Sequence, residues 1–242
     1  MRIIPMSEDS IQFTEWSEWL KEIWRELLHL AWVDDVFWQV QAIIGSNESI
    51  NKMERFQRWI AHTYTQTSLT GLRRLVDRTK NTKSLSKLLD SMQSNADVLT
   101  RERYLNLHDG GIKQLANEWF DELAGGSFNH IPKSRIKSIS ENLVTGLENV
   151  SQYANDYVAH SAKTKKAEVI RFHDVRLAIV ELFKVYKRCS RVLESSVPSS
   201  PVAVPQTEWL MYFRVPWLKD PETVPDYEHI DALIEEAEKQ PL

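Results

Sequence analysis

Apolar residues recur at three- and four-residue steps along most of this chain, which is the spacing of amphipathic α-helices. The first such stripe comprises Trp16, Trp19, Leu20, Ile23, Leu27, Leu30 and Ala31. Similar stripes predict a long helix capped by Ser49, a short one capped by Ser84, and helices over about 112–123, 133–160 and 173–195. The chain has only 7 glycines in 242 residues, which argues against a Gly-rich all-β architecture. The sequence therefore predicts an all-α fold.

Breaks in this helical pattern divide the chain into three parts. Residues 1–45 are expected to form a Trp-rich helix or helical hairpin that packs on a bundle, and residues 46–196 are expected to form the helical bundle itself. Prolines then become frequent, and proline cannot occupy helix interiors, so residues 197–242 are expected to form an extended arm that closes with a short acidic helix. The arm is rich in large apolar residues, which predicts that it packs on the body or on a partner subunit: Trp209, Leu210, Tyr212, Phe213 and Trp217.

Composition excludes several classes of protein. The net charge is -4 and the pI about 6.0, so RNA binding would require a local basic patch rather than a general basic field. The single cysteine, Cys189, cannot form an internal disulfide and is expected to be a small buried residue in a reduced, cytoplasmic protein. No apolar run approaches the ~18 residues of a membrane span, and the N-terminus lacks the apolar core of a signal peptide.

Motifs for nucleotide, metal and serine-triad chemistry are missing from the sequence. No Gly-rich dinucleotide fingerprint or P-loop is present. The 7 histidines form no close pair at metal-ligand spacing. We therefore expect neither a metal nor an organic cofactor.

The most suggestive local pattern is the predicted helix end at Ala154–His160. On an α-helix Asp156 and His160 share a face, and Tyr157 lies about one turn before the histidine. Asp156 could thus orient a histidine that acts as general acid or base. A histidine near a helix C-terminus also simply interacts with the helix dipole and the terminal carbonyls, and both interpretations remain open. Cations that could hold a phosphate follow closely: Lys163, Lys165, Lys166 and Arg171.

The segment from Tyr153 to Ser161, with the sequence YANDYVAHS, resembles the signature helix of the HEPN superfamily, in which an arginine and a polar residue precede a histidine. Three upstream segments resemble the abortive-infection AbiU branch of that superfamily: GLRRLVD at 71–77, SLSKLL at 84–89 and LTRERY at 99–104. The resemblance covers residues 50–190 approximately.

This resemblance implies an up-and-down helical bundle that dimerises through its signature helices. It also implies a ribonuclease that needs no metal, in which the histidine assists attack of the RNA 2′-hydroxyl and the arginine stabilises the developing charge. His160 matches the histidine and Asn155 the polar residue, and Asp156 or Tyr157 would orient His160. Ala154 stands where the arginine is expected.

If the chain cleaves RNA, another cation must therefore stabilise the developing charge in place of the arginine. The candidates for RNA or phosphate binding are Arg73, Arg74, Lys163 and Lys166. Arg73 and Arg74 lie in a segment whose pattern suggests burial, and pairing with Asp77 or another carboxylate is the structural alternative for them.

The function implied by the resemblance is RNA binding or cleavage in prokaryotic defence or a toxin–antitoxin system. The expected partners are a second copy of the chain, RNA, and a cognate antitoxin or defence protein. An alternative is a catalytically silent helical dimer that acts as a scaffold or regulatory interaction module, which the missing arginine favours. A third is a helical bundle whose pocket binds a small ligand.

Overall fold

The computed structural model describes residues 8–52, 54–159, 168–194, 197–202 and 208–214, with the side chains of Val158 and Ala159 left out of the description. These residues are predominantly helical and contain no β-strand, only an isolated bridge between Thr100 and His130. The prediction of an all-α fold is therefore confirmed. The helices are α1 (Glu8–Ser46), α2 (Glu48–Asn51), α3 (Glu54–Val76), α4 (Leu85–Ser94), α5 (Arg101–Asn106), α6 (Lys113–Ala124), α7 (Lys133–Ala154) and α8 (Phe172–Leu193).

The chain forms two compact units, Met1–Ala203 and Val204–Leu242. All eight of these helices belong to the first unit. In the second unit, Trp209–Arg214 forms a 3₁₀ helix rather than the extended chain that its prolines predicted. Within this helix the Trp209 and Phe213 rings pack edge to face, with their centroids 5.7 Å apart. The acidic helix predicted near the C-terminus lies outside the described residues.

Helix α1 is one uninterrupted helix of 39 residues, about 58 Å long, rather than a hairpin. Its buried stripe continues the predicted one to Phe37 and Ile44. At its N-terminal end the buried Trp16 indole donates a hydrogen bond of 2.9 Å to Ser91 Oγ in α4. Because α1 packs against α3, α4 and α8, it contributes directly to the main core.

Two of the predicted helix boundaries are confirmed, and one is wrong. Ser84 Oγ accepts a hydrogen bond from Lys87 N at the start of α4, and α6, predicted to end near residue 123, ends at Ala124 before Gly125, which has a φ of 79°. Ser49 is not a cap. Asn47 takes that role for α2, because its side-chain oxygen reaches both the Ser49 and Ile50 N–H groups.

The four long helices alternate in direction. Helices α1 and α3 are antiparallel, since Asp34 contacts Tyr64 whereas Glu26 contacts Arg74. Helices α1 and α8 are antiparallel as well, with Trp24 stacked on Tyr186 near one end and Phe37 against Phe172 near the other. In α7, Gly146 faces Glu181 of α8, while Ile136 and Val192 line a common cavity. Helices α1 and α7 thus run one way, and α3 and α8 run the other.

Arg101, in one of the segments that resemble the AbiU branch, joins α5 to α6 and to the loop after it. Its guanidinium donates to Asn117 Oδ1 at 2.6 Å, to Phe128 O at 2.7 Å and to the Asp121 carboxylate, and it lies over the Phe120 ring. These contacts use the planar fork of arginine, which lysine cannot reproduce. Arg101 therefore has a structural role in this fold.

Cys189 is buried, as predicted, and burial raises the pKa of its thiol to about 12. In the part of the chain that the structure describes, no helix is both long enough and apolar enough to cross a bilayer.

Candidate functional site

The α-helical geometry of α7 ends six residues before His160. Asn155–Ala159 continues the helix as a π-helical turn, which we call the π turn. In such a turn the hydrogen bonds join residues five apart, and π turns inside α-helices occur frequently at functional sites. The pairing of Asp156 with His160 that their four-residue spacing predicts stays a prediction. His160, Lys163 and Lys166 lie outside the described residues.

The π turn brings Asn155, Asp156 and Tyr157 together. Asn155 is exposed and Asp156 is half-buried. The Tyr157 ring is 37% exposed and stacks on the Tyr153 ring, with centroids 4.3 Å apart and planes 12° from parallel. The stack holds one aromatic face at the end of α7, beside the position where the chain continues to His160.

Ala154, where the resemblance leads us to expect an arginine, is only 1% exposed. It is the last member of the buried stripe of α7, after Leu147 and Val150. An arginine here would carry its charge into the apolar core, which is strongly unfavourable unless the charge is paired. The packing of this bundle therefore requires a small apolar residue at this position.

Arg73 and Arg74 are exposed, so the prediction of burial is wrong for these two side chains. The buried members of their segment are Gly71, Leu72 and Leu75, because the helical turn directs the arginines to the opposite face. Arg74 Nη1 lies 3.5 Å from the Glu26 carboxylate in α1. Asp77, the other suggested partner, instead accepts hydrogen bonds from the Thr79 N–H and hydroxyl.

Within one chain, Arg73 and Arg74 lie far from the π turn. Arg78, just beyond the end of α3, donates a 3.2 Å hydrogen bond to Ser140 Oγ of α7. Fifteen helical residues separate Ser140 from Asn155, a distance of about 22 Å along the axis. The C-terminal end of α3, with both arginines, therefore lies on the order of 20 Å from the π turn.

A polar cluster that the sequence analysis missed lies inside the bundle. We call Asp34, Trp38, Tyr64 and Arg176 the Asp34 cluster. Asp34 Oδ1 accepts hydrogen bonds from the Tyr64 hydroxyl at 2.7 Å and from the Trp38 indole at 3.1 Å. Arg176 Nη1 lies 3.6 Å from Asp34 Oδ2, and its guanidinium lies over the Trp38 ring at 5.7 Å. One carboxylate thus joins α1, α3 and α8.

Aromatic rings enclose the Asp34 cluster on one side. The Phe37 ring stacks on the Tyr64 ring at 3.8 Å, and the Phe172 ring meets both edge-on, at 5.0 and 5.8 Å. Burial raises the pKa of Asp34, against the opposing effects of the Tyr64 hydrogen bond and the Arg176 charge. Burial and the neighbouring carboxylate also raise the pKa of Tyr64, so this hydroxyl stays neutral and donates.

Arg176 is the member of this cluster that reaches solvent, with its side chain 46% exposed while that of Asp34 is 9% exposed. It lies at the same end of the bundle as the π turn. Gly146 of α7 and Glu181 of α8 lie opposite each other. Because the two helices are antiparallel, Ala154, eight residues after Gly146, and Arg176, five residues before Glu181, lie towards the same end of the bundle. Helix α3 contacts the π turn as well. The cluster therefore holds a cation at the end of the bundle from which the chain continues to His160.

Asp34 gives a stability prediction with a definite sign. Its pKa is raised in the folded state, so the unfolded state loses the proton first as pH rises. The free energy of unfolding of the wild type, relative to that of Asp34→Asn, should therefore fall as pH rises from about 3.8, the ordinary pKa of an aspartate, to the raised pKa of Asp34. Above the raised pKa the difference should stay constant. Urea unfolding of both proteins at several pH values between about 3.5 and 7 measures this difference. A difference that grows with pH would contradict the assignment.

Among the described residues, no group of three or more His, Cys, Asp or Glu side chains is placed to hold a metal ion. Comparison of the chain with family models, with curated proteins and with solved structures finds no match in any of the three.

Proposed function

We propose that this protein is HEPN-like, belongs to a prokaryotic defence or toxin–antitoxin system, and binds RNA and cleaves it without a metal. In this proposal it acts in the cytoplasm as a homodimer, held in check by a cognate antitoxin or defence partner. The observation that carries the proposal is the π turn directly before His160, at the end of the bundle where Arg176 is held half-exposed.

The proposed reaction is attack of the RNA 2′-oxygen on the adjacent phosphorus. His160 accepts the 2′-hydroxyl proton as the new P–O bond forms, and a water molecule donates a proton to the 5′-oxygen as its bond to phosphorus breaks. Asn155, exposed on the π turn, would donate a hydrogen bond to a phosphate oxygen, while Asp156 or Tyr157 would orient His160. Lys163 and Lys166 would add positive charge beside the phosphate.

Arg176 is our candidate for the cation that replaces the signature arginine. The buried position of Ala154 leaves no room for a charged group there, whereas Asp34 holds the Arg176 guanidinium from a neighbouring helix. A preorganised guanidinium is suited to the charge that develops on phosphorus-bound oxygens. Arg73 and Arg74 would reach the same phosphate only from a second copy of the chain.

Incubation of the purified protein with total RNA in EDTA tests this function. We expect the wild type to cleave RNA and His160→Ala to lose about 10²–10⁴-fold in rate, the usual contribution of a general acid or base. His130→Ala is the matched control, since His130 is exposed at the other end of the bundle, and it should cleave normally. Arg176→Ala should slow cleavage about 10²-fold, with partial recovery in Arg176→Lys.

Failure of the wild type to cleave RNA, or equal cleavage by wild type and His160→Ala, would refute the catalytic proposal. The competing proposal is a catalytically silent helical dimer that acts as a scaffold. Large exposed aromatic side chains favour it, above all Trp32 and Trp59. A protein that is dimeric by light scattering but neither binds nor cleaves RNA would support the scaffold.

A further inference from the structure

A concave cavity of about 380 Å³ lies between α6, α7 and α8, in the half of the bundle away from the π turn. This volume falls in the range of small-molecule sites, roughly 300–1,000 Å³. Its walls come from six parts of the chain, because α4, Leu99 and Ile131 form its base below the three helices. A closed base suits a compact ligand better than the continuous groove that a partner helix requires.

The floor of the cavity is apolar. Met92, Leu99, Ile136 and Val192 line it, and all four are buried in the main core. Cys189 also lines it, and with its pKa raised to about 12 the thiol is neutral at physiological pH and behaves as an apolar group. Such a floor offers no hydrogen-bond partners to a sugar or a base, but it accommodates an alkyl chain.

The rim carries an excess of positive charge. Three arginines, Arg135, Arg188 and Arg191, face a single carboxylate, Glu122. Arg191 pairs with Glu122 at 3.4 Å, and Arg135 donates to the backbone carbonyl of Leu123 at the end of α6. Arg188 is exposed and forms no ion pair with any other described residue. The charge of Arg188 therefore remains for a ligand.

We propose that this cavity binds a single-chain amphipathic carboxylate of medium length. The alkyl chain lies on the apolar floor, and the carboxylate pairs with the Arg188 guanidinium, whose fork matches its two oxygens. Arg191 and the Asn142 side chain at the rim add polar contacts to the same headgroup. The proposal concerns a site separate from the π turn, and it stands whether or not the protein cleaves RNA.

Isothermal titration of the full chain with octanoate tests the site, with 1-octanol and octylamine as ligands of the same length. We expect octanoate to bind once per chain with Kd below about 100 μM, and the neutral and cationic ligands at least tenfold more weakly. Arg188→Glu should weaken octanoate binding at least tenfold. Lys113→Glu makes the same charge change at the N-terminus of α6, where an acidic residue suits the dipole, and should leave binding unchanged.

A second variant separates the cavity from general surface charge. Asn142 is exposed at the mouth of the cavity, so Asn142→Trp should block entry without disturbing the core. We expect this variant to keep the wild-type melting temperature in the absence of ligand and to lose the rise in melting temperature that octanoate produces. Equal binding of octanoate and 1-octanol, unsaturable binding, or unchanged binding by both Arg188→Glu and Asn142→Trp would overturn the proposal.

Discussion

Replacing Tyr64 with alanine is expected to lower the free energy of unfolding by about 4 kcal/mol, within the range for removal of a large buried aromatic side chain. The ring is 3% exposed and stacks on Phe37, so its loss leaves a cavity at the junction of α1, α3 and α8. Asp34 also loses its shortest hydrogen bond and keeps a buried carboxylate that is less well satisfied. Chemical denaturation monitored by circular dichroism measures the change.

Tyr64→Phe is the matched control, because it removes the hydroxyl and keeps the ring. We expect it to cost about 1–3 kcal/mol, since a buried charged acceptor loses one donor. In combination with Asp34→Asn the cost should shrink, because the remaining group is neutral. If Tyr64→Phe is as damaging as Tyr64→Ala, the packing of the ring contributes little and the account of this junction is wrong.

Gly71→Leu is expected to cost about 3 kcal/mol or more, because no side chain fits where α3 crosses α1. Even a Cβ atom on Gly71 would lie 2.6 Å from Cδ2 of Leu30, a side chain that is itself fully buried. Real Cβ atoms essentially never approach another atom so closely, so the buried Leu30 side chain or the two helices would have to shift. Chemical denaturation of Gly71→Leu should therefore show a lower free energy of unfolding, and its melting temperature should be lower than that of the wild type.

Gly146→Ala serves as the control for this prediction. Gly146 is also in a helix interior, but it is exposed, and an added Cβ would meet only the flexible Glu181 side chain at 3.3 Å. Here the higher helix propensity of alanine should dominate and raise stability by up to about 1 kcal/mol. If Gly71→Ala stabilises the protein as much as Gly146→Ala does, the close crossing of α1 and α3 is not as we describe it.

Much of the secondary structure was predictable because the information is local. Caps such as Ser84 and Gly125 act within one turn of their own helix, and the apolar stripes of α1, α7 and α8 follow the helical period directly. Asn47 was missed as a cap because Asn47 and Ser49 are both good N-cap residues two positions apart. Only the geometry of the turn decides between such neighbours.

The candidate site was only partly predictable. Its local portion, Asn155 to Tyr157, was identified from the chain, but the π turn that contains these residues was not. Asp34 did carry a signal, since it is an acidic residue within the apolar stripe of α1, between Ala31 and Phe37. Nothing local indicated its partners, because Tyr64 and Arg176 are 30 and 142 positions away along the chain.

The sequence by itself determined that the described chain is helical, that Ser84 caps α4, and that Cys189 is buried, since each depends on neighbours within a few residues. Tertiary structure alone decided that Ala154 faces the core, that Arg73 and Arg74 lie far from the π turn, and that Arg176 is held at its end of the bundle. The physical reason is that helix direction and crossing depend on side-chain contacts between residues distant in sequence. Helical periodicity shows which face of a helix is buried, but not which helix covers it.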